Sequence, residues 1–141
     1  MKTPWHVWGV GITAVLFNAG GAFDYVMTQT GNAAYMAAFT PEQIAWFDAF
    51  PVWIDAAWAI AVWSALLGGV LILLRRKAAM PVFALSLVAM GVTFVHNFAI
   101  AEPTMAEVTG PQAFWMTFLI VAVTLALFHY SRIMTLRGVL R

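Results

Sequence analysis

Four apolar runs, at residues 5–27, 52–74, 81–101 and 113–133, are each about as long as a helix that crosses a bilayer. A domain of 141 residues has no interior large enough to hide four such stretches. In hydrocarbon, a helix pairs all of its own backbone N–H and C=O groups, whereas an isolated strand cannot. Composition agrees, because 63% of the residues are hydrophobic, 9% are charged and the mean hydropathy is +0.86. The expected fold is an all-α integral membrane protein. It is a four-transmembrane-helix bundle, one domain over residues 1–141, with a short interfacial helix before the second span.

Orientation follows from the charges. Every Lys and Arg (Lys2, Arg75, Arg76, Lys77, Arg132, Arg137 and Arg141) falls at the N-terminus, in the second connection or near the C-terminus. Every carboxylate (Asp24, Glu42, Asp48, Asp55, Glu102 and Glu107) falls on the other side. The excess of basic residues on cytoplasmic loops then puts both termini in the cytoplasm. Lys2, the apolar run and Ala19-Gly20-Gly21-Ala22 match a signal peptide only loosely, so the first span is expected to be retained.

The segment from Thr40 to Trp58 begins like a soluble helix and ends as a span. Thr40 with Gln43 three residues on is a capping-box pattern, and Pro41 occupies the first helical position, where its missing N–H costs nothing. Residues 41–50 read as an amphipathic interfacial helix anchored by Trp46. Pro51 predicts a kink or a fresh helix start. Asp48 and Asp55, two turns apart, would share one face if the helix ran through.

Polar residues inside the spans mark faces turned toward protein. Ser86, Thr93 and Asn97 form one stripe on span three, and Thr117, Thr124 and Ser131 form another on span four. Span one carries Gly9, Gly11, Gly20 and Gly21, which permit close helix approach. The main candidate site gathers Asn18 and Asp24 from span one, Asp48 and Asp55 from around the start of span two, and His96, Asn97 and Glu102 from the end of span three. Ionisable groups at membrane depth usually have a partner or a task. Asp55 and His96 are the central expected pair, since an aspartate beside a histidine stabilises both charged forms. Asn18 and Asn97 would orient a ligand, and Trp58 would wall it. The competing reading is that these side chains satisfy one another and fix packing, with Asp24, Asp48 and Glu102 solvated. The tryptophans likewise serve either as interface anchors or, at Trp46, Trp53 and Trp58, as aromatic faces for a sugar or organic cation.

Other chemistry finds little footing. The absence of cysteine excludes disulfides and thiolate ligands. His6 and His129 lie toward one side and His96 toward the other, so no two face each other as haem ligands would. No Glu-x-x-His repeat, nucleophile elbow or phosphate-binding glycine loop occurs, and no basic block suggests nucleic acid. No catalytic residue, metal ligand set or cofactor is identified.

The segment Tyr35-Met36, Phe39-Thr40-Pro41-Glu42-Gln43-Ile44-Ala45-Trp46-Phe47-Asp48-Ala49-Phe50-Pro51, then Trp53 and Ala57-Trp58, resembles a family of small bacterial four-span membrane proteins loosely labelled "sugar transporter". The resemblance implies a bacterial inner-membrane helical bundle, and no site residue carries over from it. Two functions are expected of such a chain. One is binding or transport of a small polar molecule, cation or proton through an outward-facing polar pocket, in a dimer or larger assembly because four spans enclose little volume. The alternative is a non-enzymatic accessory or assembly subunit of a larger membrane complex, docked through its glycine-rich first span.

Overall fold

The computed structural model describes residues 2–141, and every regular element among them is helical. In chain order they are α1 (Trp5–Gln29), α2 (Ala33–Met36), α3 (Pro41–Asp48), α4 (Val52–Leu73), α5 (Ala79–Val95) with a π-helical extension (His96–Ile100), α6 (Met105–Thr109) and α7 (Gln112–Leu136). Four of them, α1, α4, α5 with its extension, and α7, are long and apolar enough to cross a membrane. The protein is therefore a multi-pass membrane protein of the all-α class.

The long helices stand in the order α1, α4, α5, α7, each packed mainly on the next. In hydrocarbon, helices gain little from hiding apolar surface from one another, so close van der Waals approach does the work. Adjacent glycines on α4 provide it on both sides. A Cβ at Gly69 would lie 3.0 Å from the backbone nitrogen of Val15 on α1, and one at Gly68 would lie 2.6 Å from the Phe83 ring on α5. A buried hydrogen bond adds to the second contact, Ser86 Oγ donating to the Ala61 carbonyl at 2.7 Å.

The end of the bundle that carries the basic residues is closed. Val7, Ile72, Phe83 and Leu127, one from each long helix, share a buried cluster with Val139 and Leu140. Helix α7 stops at Gly138, whose φ of 71° only glycine adopts easily, and Val139 N–H reaches back to the Met134 carbonyl at 2.9 Å. The turned-in tail then pairs with the α4–α5 turn, Lys77 N–H donating to the Arg141 carbonyl at 3.1 Å and Arg141 N–H to the Arg75 carbonyl at 2.8 Å. His6 Nδ1 and the Tyr130 hydroxyl, 2.7 Å apart, join α1 to α7.

The acidic end is built from short helices. The expected box at α3 is present: Gln43 N–H donates to Thr40 Oγ1 at 3.2 Å, and Thr40 N–H donates to Gln43 Oε1 at 3.1 Å. An equivalent box starts α6, with Thr104 N–H donating to Glu107 Oε2 at 2.6 Å. That backbone bond holds the exposed Glu107 carboxyl below its usual range. Pro51 caps a fresh helix rather than kinking a continuous one. Asp48 accordingly ends α3 while Asp55 lies in the first turn of α4, so the expected shared face does not exist.

Candidate functional site

Between the closed basic end and the short helices of the acidic end lies a cavity of about 330 Å³. Its walls come from α1, α3, α4, α5, α6 and α7, and are mostly apolar. Phe47, Phe50 and Trp58 make an aromatic wall, Phe47 stacked on Trp58 with ring centres 6.2 Å apart and Phe50 edge-on to it at 6.3 Å. Polar atoms are few and come from Asn18, Asp24, Thr93, Asn97 and Thr117.

Three of the polar hydrogens on these side chains are committed to backbone carbonyls. Asn18 Nδ2 donates to the Ala14 carbonyl at 2.8 Å, Thr93 Oγ1 to the Met90 carbonyl at 3.0 Å, and Thr117 Oγ1 to the Ala113 carbonyl at 2.9 Å. Asp24 accepts a hydrogen bond from the Tyr35 hydroxyl of α2, which ties the first loop to the rim. Burial and that bond together push the Tyr35 hydroxyl up to about 12, so it remains a donor at any ordinary pH.

The π-helical extension of α5 places Asn97. Ala101 N–H bonds to the His96 carbonyl at 2.8 Å, five residues back, and His96 and Asn97, as consecutive residues, point to different faces. His96 is buried, edge-on to Phe50 and Trp53 with both ring centres at 5.6 Å. Its Nδ1 lies 3.0 Å from Asn97 Oδ1, and because an amide oxygen only accepts, Nδ1 carries the proton. The bond turns the Asn97 amide nitrogen away from His96, where it meets only Met105 Sδ at 3.9 Å.

Of the candidate residues, the fold brings Asn18, Asp24, Trp58 and Asn97 to the cavity. The other four lie off it. Asp55 faces α1 and accepts from Gln29 Nε2 at 3.0 Å, while Trp53, two residues earlier and so on the opposite side of α4, faces His96. The expected Asp55–His96 pair is therefore corrected: the two residues belong to separate contacts. Asp48 and Glu102 are exposed. Among the described residues, no three His, Asp or Glu side chains form a metal-ligand set, so the expected convergence of carboxylates and imidazole does not occur.

Trp46 is a second correction. In place of an interface anchor it is nearly buried, with Nε1 donating to the Pro103 carbonyl at 2.7 Å. Gln43 Nε2 donates to the Val108 carbonyl at 3.3 Å, so α3 is pinned to the loop and helix that precede α7. Together these contacts cover the water-side end of the cavity. Thr93 and Thr117 were legible as polar stripes but had not been singled out as site residues. Phe17, Phe47, Phe50 and the methionines of the wall carried no signal that separates them from ordinary apolar membrane residues.

A row of four membrane-crossing helices, clamped at one end and opened around a capped cavity at the other, defines a multi-pass helical membrane protein with a built pocket. No protein-family model, curated protein or solved structure matches the chain.

Proposed function

We propose that the protein is a non-enzymatic bacterial inner-membrane protein that binds a small molecule carrying a polar or cationic group in this cavity, as the binding step of transport. The carrying observation is the cavity itself, whose volume of about 330 Å³ falls at the lower end for small-molecule sites and whose apolar wall is broken by a few converging polar atoms. The basic residues at the closed end favour a cytoplasmic location for it, which turns the pocket outward. The closed end leaves one copy with a binding site and no through-path, so passage across the membrane calls for rearrangement or for an assembly of copies.

Gly21 supplies the test. A Cβ there meets only Val62 Cγ1, at 3.8 Å, and Gly21 lines the cavity, so Gly21→Leu fills the pocket without a backbone clash. Protein taken from its own membrane in mild detergent should show a small-molecule adduct by native mass spectrometry, and Gly21→Leu should deplete it. A stoichiometric protein partner with no small-molecule adduct would support the accessory-subunit reading instead. The exposed Gly9 and Gly20, which have nothing within 4 Å of a built Cβ, are the places on α1 where such a partner would sit.

A further inference from the structure

The cavity has its mouth in the wrong place for a water-soluble ligand. Its water-side end lies under α3 and α6, joined through Trp46 to Pro103 and through Gln43 to Val108. Helices α1 and α7 close the row at the basic end through His6 and Tyr130. Three residues that line the cavity are also exposed, and all three belong to the two helices at the ends of the row: Phe17 and Gly20 on α1 and Met116 on α7. Phe17 lies at the middle of the 25-residue α1, so it sits at the depth of the hydrocarbon.

The chemistry inside is equally one-sided. Asn18, Thr93 and Thr117 each spend a side-chain proton on a backbone carbonyl, which leaves both threonine hydroxyls of the cavity wall as acceptors only. Asp24 is the one carboxylate of the wall, and Tyr35 takes a single oxygen, Oδ1. Every Lys and Arg belongs to the basic end, about 30 Å away along α1 at the usual helical rise, so the protein brings Asp24 no cation of its own. Phe47, Phe50 and Trp58 share the cavity wall with it, and the faces of aromatic rings attract organic cations.

We infer that the cavity takes an amphiphile with a protonated amine, entering sideways from the bilayer between α1 and α7, its ammonium held by Asp24 and the neighbouring acceptors. This rests on the reading above that the cavity is a ligand site. A quinone or other acceptor-only head group would find as donors only the amide hydrogens that Asn18 and Asn97 have left over, and lone pairs elsewhere.

The test uses the full chain in lipid nanodiscs, with empty nanodiscs as background and three probes that share one tail: decylammonium, decyl glucoside and decanoate. Decylammonium should bind saturably, one per chain, and the other two should not rise above background. Asp24→Asn should weaken decylammonium about tenfold or more, a conservative value for losing a partly desolvated opposite charge, while Glu42→Gln should leave it unchanged. Gly20→Leu grows into open space at the mouth, so it keeps the fold and should also weaken binding. Equal loss with Glu42→Gln would reduce the effect to surface charge and overturn the inference. Saturable binding of decyl glucoside, sensitive to Gly21→Leu and insensitive to Asp24→Asn, would keep the cavity as a ligand site and overturn the amine. No saturable binding of any probe, together with no small-molecule adduct that Gly21→Leu depletes in native mass spectrometry, would remove the ligand site itself.

Discussion

The two ends of the bundle solve opposite problems. At the basic end, Val7, Ile72 and Phe83 are fully buried and the C-terminal tail folds in to fill what remains. At the acidic end, short capped helices and edge-on aromatic rings hold the same four helices apart around open space. A bilayer gives no hydrophobic reward for closing that space, so rigidity at one end is what permits a cavity at the other. Damage to the closed end should therefore loosen the whole molecule, and damage to the open end should stay local.

Phe83→Ala should cost the most. In a soluble core such a truncation costs about 3–5 kcal/mol, but part of that is transfer from water, which hydrocarbon does not provide. We expect about 2–3 kcal/mol, read as a fall in the unfolding midpoint in detergent with one cooperative transition. Gly69→Ala comes next. Its Cβ would meet the α1 backbone rather than a movable side chain, so overpacking of about 1–3 kcal/mol is expected by the same measurement. Either variant leaving the midpoint unchanged would break the contrast between the ends.

Trp46→Phe keeps the ring and removes the bond to Pro103, a loss of about 1 kcal/mol. It should raise amide exchange in α3 and leave the global midpoint in place. Tyr35 gives a pH signature at the same end. Its folded value of about 12 stands above the ordinary 10.0, so the stability it contributes is complete below pH 10.0 and is lost as pH climbs toward 12. Phenolate absorbance should show a tyrosine titrating near 12 that Tyr35→Phe removes. Asp55→Ala closes the series at under about 0.5 kcal/mol, because its bond to Gln29 is exposed.

That last, small value marks where the sequence could be read and where it could not. The spans were legible because a bilayer sets their length, and the box at Thr40 and Gln43 because it depends on residues three apart. The stripe of Ser86, Thr93 and Asn97 was legible for the same local reason. Rotational phase was not. Helix α4 is apolar all round, so nothing in its pattern says that Trp53 faces His96 and Asp55 faces Gln29. The π turn from His96 to Ile100 shifts the phase of the residues that follow His96. The cavity is less legible still, since its walls come from six helices far apart in the chain, and no local pattern of residues records a gap.

The chain has no cysteine, so single thiols can compare the two regimes along one face of α5. Thr93 lines the cavity, and Ser86, two turns toward the basic end, is fully buried against the Ala61 carbonyl. Thr93→Cys in nanodiscs should react with a small neutral thiol reagent, and Ser86→Cys should stay protected until the protein unfolds. Equal labelling of the two, or protection of both, would contradict a bundle that is closed at one end and open at the other.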